Sequence, residues 1–369
     1  MEHSPAPKIL LRTDFHRLLQ ALRKFGYRVI GPVLSQGSIQ WKDIHAVEDL
    51  PVGWKDHQEP GHYRLEPDPS PRYFNVVHGP ESLKPLTFVS RETLLILDRK
   101  NHIFSAKEIQ PASQPTAVIG VRACDLASLT IQDHIFLKGS YADPYYQQRR
   151  EQLFLVTVNC TRALPTCFCA SMNTGPKAQD GYDLSLTEAD EDFLIEAGSR
   201  AGLKILGQLP CTAASPERMT QEEERVATCA SGQTRSLPHT TLPDSLYEAH
   251  DHPRWDQVAT RCLSCTNCTM VCPTCFCHSV EETPSLDAQH AEHARVWDSC
   301  FTSDHGYIHG KNFRPTTKDR YRMWLTHKLA SWMDQFGMSG CVGCGRCITW
   351  CPVGIDLTEE VRALCQPPQ

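Results

Sequence analysis

The sequence has no long apolar run, since none of its 369 residues lies in a stretch near the ~18 apolar residues that a transmembrane helix requires. It also lacks the glycine-rich dinucleotide turn G-x-G-x-x-G, the phosphate loop G-x-x-x-x-G-K-[ST] and the nucleophile elbow G-x-S-x-G. None of the 17 histidines falls in an H-E-x-x-H arrangement. We therefore expect no membrane span and no recognisable device for binding a dinucleotide or for hydrolysis.

Excess positive charge is absent as well. The formal net charge is -6, which argues against a nucleic-acid partner because such proteins usually carry a basic patch. Residues 1–5 are polar and the apolar run 9–11 is too short for a secretory signal, so we expect a cytoplasmic protein. The 18 cysteines then point to metal binding rather than to disulfides, since closely spaced thiols in a reducing compartment are typical metal ligands.

Two cysteine runs carry the strongest signal in the chain. Residues 262–273 and 341–352 both read C-x2-C-x2-C-x3-C-P. This is the bacterial ferredoxin pattern for four-iron clusters, in which the fourth cysteine ligates the other cluster. The pattern predicts two [4Fe-4S] clusters with crossed ligands. Cluster one would take Cys262, Cys265, Cys268 and Cys351, and cluster two would take Cys341, Cys344, Cys347 and Cys272.

A pair of zinc knuckles is the alternative, because zinc also accepts C-x2-C pairs. Tetrahedral zinc needs no quartet followed by proline, and here the whole run occurs twice. The spacing therefore favours iron–sulfur clusters.

The region before the first run predicts a parallel βαβ unit, with strands at 117–121 and 152–158 and a helix at 125–137. Cys124 and Cys160 directly follow the two strands, so both should lie at the carboxyl edge of the sheet, where open α/β sheets bind ligands. These residues predict a third cluster site. Its candidate ligands are Cys124, Cys160, Cys167 and Cys169, with Asp125 as an alternative oxygen ligand.

Buried structural cysteines are the other interpretation of that set, since no standard spacing supports it. The pentapeptide at 165–169, P-T-C-F-C, recurs at 273–277, which suggests two similar turns beside clusters. We expect Cys275, Cys277 and Cys300 to lie in the core or beside a cluster without ligating iron, and Cys211, Cys229 and Cys365 to be inert.

The rest of the pattern predicts an α+β protein of two domains. An α/β domain with a partly parallel sheet would span residues 1–235, and an α-helical ferredoxin-like domain with two four-iron clusters would span 236–369. In the first domain we expect helices at 14–25 and 216–227 and strands at 27–33, 193–197 and 203–206. In the second, residues 316–336 should form a long helix whose apolar stripe packs against the cluster domain.

Several short motifs together resemble one iron–sulfur family. They are V-R-A-C-D-L at 121–126, D-P-Y-Y at 143–146, N-C-T at 159–161, C-F-C at 167–169, G-P at 175–176, G-Y-D-L at 181–184, C-P-T-C-F-C at 272–277, W-D-S-C at 297–300, N-F-R at 312–314 and C-V-G-C-G-R-C at 341–347. The family comprises the beta subunits of soluble NAD(P)-linked nickel–iron hydrogenases (sulfhydrogenases) and the related iron–sulfur subunit of anaerobic sulfite reductase. The resemblance covers most of the chain from about residue 117 onward.

The resemblance implies a non-catalytic electron-relay subunit of a cytoplasmic complex. FAD and NAD(P) would sit on a partner flavin subunit, and the hydrogenase small and large subunits would handle hydrogen. In the sulfite reductase, a sirohaem subunit would take their place, and no residue separates these two cases. An iron–sulfur sensor or structural module is the remaining alternative, although crossed paired clusters favour electron transfer.

Overall fold

The computed structural model describes residues 6–100, 103–238 and 241–366. Its strands are β1 Lys8–Leu11, β2 Arg28–Ser35, β3 Ser38–Asp43, β4 Trp54–Glu59, β5 His62–Pro67, β6 Arg91–Lys100, β7 Ile103–Glu108, β8 Thr116–Val121, β9 Leu153–Val158, β10 Leu184–Glu188, β11 Asp192–Ala197, β12 Thr212–Ala213, β13 His278–Pro284, β14 His290–Trp297, β15 Tyr307–Ile308 and β16 Lys311–Asn312.

Its helices are α1 Phe15–Lys24, α2 Lys84–Thr87, α3 Ala123–Phe136, α4 Pro144–Glu151, α5 Arg200–Leu206, α6 Pro216–Ser231, α7 Leu242–Glu248, α8 Arg254–Arg261, α9 Asn267–Met270, α10 Thr317–Thr326, α11 Trp332–Phe336, α12 Arg346–Thr349 and α13 Leu357–Leu364. A π-helical turn, His327–Ser331, joins α10 to α11. None of the helices in the described part of the chain is both long and apolar enough to cross a lipid bilayer.

An eight-stranded mixed sheet forms the centre of the N-terminal half, in the order β12-β1-β11-β10-β9-β8-β2-β3. Its four middle strands, β10, β9, β8 and β2, run parallel, whereas the flanking pairs are antiparallel. The predicted βαβ unit is confirmed as β8, α3 and β9, and the sheet is partly parallel as predicted. Cys124 and Cys160 therefore follow neighbouring parallel strands at one edge of the sheet.

Most other predicted elements of this half are present, with one exception. Residues 203–206 were predicted as a strand, but they form the end of α5. Ser199 caps that helix by accepting a hydrogen bond from the Gly202 backbone N–H, and Ile205 and Leu206 enter the core beneath the sheet. A short apolar run fits a strand or a buried helix equally well, so the N-cap was the deciding signal.

A second sheet corrects the prediction of an α-helical C-terminal domain. Strands β13 and β14 pair with β6 and β7 in the antiparallel order β13-β14-β6-β7, so the C-terminal part is mixed and not mainly helical. The two C-terminal strands are rich in His, Glu and Ala and lack a clear two-residue alternation, which concealed them in the sequence. The domain boundary between 235 and 236 stays a prediction.

The long helix predicted at 316–336 is confirmed as α10, the π-helical turn and α11. Thr316 and Asp319 form a capping box at its start, and Gly337, with φ 66°, ends it. Its apolar stripe packs in one buried cluster with cysteines of both runs, as predicted. The buried members of the stripe are Tyr321, Trp324, Leu325, Leu329 and Trp332.

Candidate iron–sulfur centres

The two cysteine runs fold into loops of matching backbone geometry. In each run the residue before the second cysteine and the residue after it have positive φ: Ser264 and Thr266 in the first loop, Gly343 and Gly345 in the second. A one-turn helix then follows in both, α9 and α12. The Ser264 and Gly343 backbone nitrogens each lie 3.4 Å from the sulfur of the run's first cysteine. Such N–H groups are the donors that tune an iron–sulfur centre.

The first predicted quartet surrounds one cavity. Cys262, Cys265, Cys268 and Cys351 all line it, so the fourth cysteine of the second run meets the first three of the first run. The remaining wall is largely apolar, from Phe301, Tyr321, Trp324, Ile355 and Leu357. Burial raises the pKa of the Cys268 thiol well above its usual value, and the charges of Cys262, Cys351 and Cys265 raise it further.

The second predicted quartet is related in the same way. Burial raises the pKa of the Cys347 thiol well above its usual value, and Cys341, Cys344 and Cys272 are the next causes in order. Buried thiolates crowded in this manner repel one another unless a cation lies between them. The soft, anionic donor sets and their low-polarity surroundings fit four-iron clusters.

Single-ion sites are a different matter. Within the described ranges, no three His, Cys, Asp or Glu side chains converge closely enough to hold one metal ion. A tetrahedral zinc site requires that convergence, whereas the ligands of a four-iron cluster each bind a different iron and stand farther apart. The arrangement of the quartets is therefore that of cluster ligands. The individual assignments remain predictions.

A buried lysine lies beside the second quartet, although the apolar periodicity of its helix placed it on the polar side. Lys328, in the π-helical turn, approaches the Cys272 sulfur at 3.4 Å and donates to the Thr274 hydroxyl at 2.8 Å. Burial alone would lower the Lys328 pKa, but the charges of Cys272, Cys275 and Cys341 outweigh it and raise that pKa well above its usual value. A π turn is a frequent mark of a functional position, although the sequence does not reveal it.

The second cysteine loop rests on the N-terminal half of the chain. The Phe168 backbone N–H donates to the Gly343 carbonyl at 2.9 Å, and the Thr174 hydroxyl donates to the Val342 carbonyl at 2.7 Å. A Cβ on Gly345 would lie 2.3 Å from the Thr166 carbonyl oxygen. The loop at 165–169, which carries the repeated pentapeptide, is thus the seat of the second ferredoxin loop.

The N-terminal cysteines form a group that differs in one member from the predicted set. Burial raises the pKa of Cys167 well above its usual value, with the charges of Cys169 and Cys160 next in order. Cys229, expected to be inert, lies on α6 beside the same group, because Cys160 and Cys169 are the charges that raise its pKa after burial. Only the fold could reveal this proximity, since Cys229 has no diagnostic spacing.

Cys124 lies on the other side of that group. After burial, the charges that raise its pKa come from Asp125, Cys344 and Cys169 in that order. Cys124 thus lies between the N-terminal thiols and the second ferredoxin quartet. The predicted set of Cys124, Cys160, Cys167 and Cys169 is brought to one region, and its ligand assignment stays a prediction.

Asp125, the predicted alternative ligand, forms a fully buried ion pair. Its two carboxylate oxygens accept from the Arg346 guanidinium at 2.8 and 3.1 Å, and both side chains are 0% exposed. Arg346 lies between Cys344 and Cys347, so the pair connects helix α3 directly to the second ferredoxin loop. The sequence offered no signal for this contact.

The site and fold define an iron–sulfur protein with a paired-cluster domain. Residues 261–355 match the family model described as a 4Fe-4S dicluster domain, which includes both cysteine runs. Every ligand predicted from the two runs, Cys351 included, falls within that range.

Over nearly its whole length the chain is similar to sulfhydrogenase 2 subunit beta of Pyrococcus furiosus. The two are 29% identical over 356 residues, covering 94% of this chain and 96% of that protein. The resemblance seen in the sequence motifs is confirmed by this relative, and it extends to residues before 117, where the motifs were silent. No solved structure matches the chain significantly.

Proposed function

We propose that this chain relays single electrons within a multisubunit oxidoreductase and catalyses no reaction of its own. The observation that carries the proposal is the interlocking of the two quartets. Cys347 of the second quartet lines the same cavity as Cys262, Cys265, Cys268 and Cys351. Bound four-iron clusters supply one-electron chemistry, and two sites that share a wall are suited to passing an electron.

The chain's own residues would hold, orient and shield these centres. The thiolates supply the ligands, the apolar wall of Tyr321 and Trp324 excludes water, and Lys328 adds positive charge beside Cys272. Burial, hydrogen bonds to sulfur and local charge are the factors by which a protein sets a cluster's reduction potential.

We further propose that the partners are a flavin subunit that binds FAD and NAD(P), and the small and large subunits of a nickel–iron hydrogenase. The likeness to the beta subunit of a sulfhydrogenase, which spans almost the full chain, supports this set of partners. Affinity purification of the tagged chain from its native cells tests the proposal. Recovery of nickel and flavin supports it, whereas recovery of sirohaem would replace the hydrogenase with a sulfite reductase.

The relay itself is tested on the anaerobically purified chain. We expect at least about eight irons and eight sulfides per chain and an EPR signal after dithionite reduction, because each cubane holds four irons. Reduced partner flavin should then re-reduce the oxidised clusters. Zinc in place of iron, or clusters that never accept an electron from any subunit of the complex, would contradict the proposal.

An N-terminal cluster held by Cys160, Cys167 and Cys169 is part of the same proposal, with Cys124 predicted as the fourth ligand. Because Cys229 lies in the same group, paired variants decide between them. Cys124→Ser should remove about four irons and Cys229→Ser none, counting four per cubane. The reverse result would assign Cys229, and no loss from a Cys160→Ser variant would exclude the cluster.

A further inference from the structure

A second group of thiols lies outside both ferredoxin quartets and the N-terminal group. It is built by the hairpin of β13 and β14, in which His278 pairs with Trp297 at the open end. The Asp298 backbone N–H donates to the Cys277 carbonyl at 2.9 Å, which extends the pairing by one step. The segments just before and just after the hairpin, 275–277 and 298–300, are therefore held side by side.

Three cysteines meet at this open end. Hydrogen bonding from Cys300, followed by His305, lowers the pKa of the Cys277 thiol to about 4. Cys275 is the next charge acting on Cys300 after burial. Cys300 is 9% exposed, while Cys275 and Cys277 are half-buried, so the group lies close to the surface without being open to it.

His305 completes the group and is itself held in place. Its Nδ1 lies 3.3 Å from Oδ2 of Asp298. The other oxygen of Asp298 accepts from the Ser299 backbone N–H and the Thr302 hydroxyl, each at 2.7 Å. A carboxylate that orients a histidine through one ring nitrogen, leaving the other for a metal, is a common arrangement around bound metals.

Positive charge balances the thiolates from the opposite side. The Lys84 ammonium lies 3.9 Å from the centre of the Trp297 ring, and it senses the charges of Cys275, Cys272 and Cys277. The group also adjoins the second ferredoxin quartet, because Cys275 is the hydrogen-bonding partner of Cys272. Buried lysines beside several thiolates suit a centre that carries net negative charge.

We propose that Cys275, Cys277, Cys300 and His305 ligate a further four-iron cluster, adjoining cluster two and lying near the protein surface. Three thiolates and one imidazole are a donor set that also suits structural zinc. The described side chains do not, however, converge to single-ion spacing, and the site adjoins a predicted electron-transfer centre. This inference rests on the proposed relay, which it deepens by adding a redox centre through which a partner subunit exchanges electrons.

The test compares metal content in full-length chains purified without oxygen. A Cys277→Ser/Cys300→Ser double variant should lose about four irons and four sulfides per chain, the content of one cubane. A Cys211→Ser/Cys365→Ser double variant, which alters cysteines outside all four groups, should lose none. Iron unchanged in the first variant would overturn the inference, and so would loss of zinc without iron or a Cys277–Cys300 disulfide found by mass spectrometry.

A second variant keeps the test decisive if the first one fails to fold. In the wild type, pulsed EPR of the reduced chain should show nitrogen hyperfine coupling from a ligating imidazole. His305→Cys should retain the iron, replace the imidazole by a thiolate and remove that coupling. Coupling that is absent in the wild type or persists in His305→Cys would overturn the ligand assignment, whereas a wild type without any clusters would instead refute the proposed relay.

Discussion

Buried charge at single residues decides much of how the cluster region is held. The Asp125–Arg346 pair is fully enclosed, so neither side chain has water to replace its partner. Removing one member of such a pair is far more damaging than removing both, because the survivor keeps an uncompensated charge in a low-dielectric site.

We therefore expect Asp125→Ala to lower the free energy of unfolding by about 3–5 kcal/mol. Anaerobic urea unfolding followed by circular dichroism measures the change. The matched control is Asp43→Ala, which removes the partner of Arg28 in an exposed pair and should cost less than about 1 kcal/mol because water screens that pair. Equal costs for the two variants would show that the buried pair is not the support inferred.

Lys328 supplies the second prediction at this scale. Replacing it with methionine keeps most of the side-chain volume but removes a positive charge near Cys272. Because reduction adds an electron, loss of a nearby cation should lower the reduction potential of cluster two, by up to about 100 mV for one unit charge at an effective dielectric constant near 20. An EPR-monitored redox titration measures it.

Lys318→Met is the control, since Lys318 lies near the start of the same helix and pairs with Asp256 at the surface. It should leave the potential unchanged. A Lys328→Met chain with wild-type potentials would mean that Cys272 does not belong to a redox centre beside this lysine.

The sequence predicted such residues unevenly. The ferredoxin cysteines were visible because their spacing is dictated by the cluster itself. Lys328, Arg346 and Cys229 were not, because each acts through a partner that is distant in sequence and no local pattern records that contact. Residues that depend on three-dimensional neighbours require the fold.

At the scale of elements, the fit between the second ferredoxin loop and the 165–169 loop leaves no room for a side chain. Gly345 has φ 77°, and an added Cβ would lie 2.3 Å from the Thr166 carbonyl oxygen. Gly337 has nearly the same backbone conformation, φ 66°, with nothing within 4 Å of its added Cβ. The two glycines separate steric contact from backbone strain.

We expect Gly345→Ala to lose cluster two, measured as about four fewer irons per chain. Gly337→Ala carries the same left-handed strain, about 1–2 kcal/mol, but should retain its iron because its Cβ meets no neighbour. If both variants kept their full iron content, the contact between the two loops would be dispensable for assembling the centre.

Elements were predicted well where the signal was local. The α1 helix and the βαβ unit follow from apolar periodicity. The hairpin of β13 and β14 was missed because its stability comes from pairing with β6, almost two hundred residues earlier in the chain.

Across the whole molecule, crossed ligation would tie the two ends of the cluster domain together. Cys351 lines the cavity of Cys262, Cys265 and Cys268 although the long segment with β13, β14 and α10 separates them. We expect Cys351→Ser to impair cluster one while sparing the centre at Cys341, Cys344 and Cys347. EPR of the reduced variant distinguishes the two signals.

Cys365→Ser, at an exposed cysteine near the end of the chain, is the control and should preserve both signals. Damage confined to cluster two in the Cys351→Ser chain would reverse the predicted assignment of the fourth cysteines.

The pairing of β6 with β14 has a consequence for biosynthesis. As the chain leaves the ribosome, β6 emerges with one edge unsatisfied, and its partner is not made until most of the protein has been translated. The seat for the second ferredoxin loop at 165–169 waits even longer for residues 341–347. Unpaired strand edges invite association with other chains. Iron loading must therefore follow near-complete translation, and the cell has to protect a nascent intermediate whose thiols and sheet edge are both open until then.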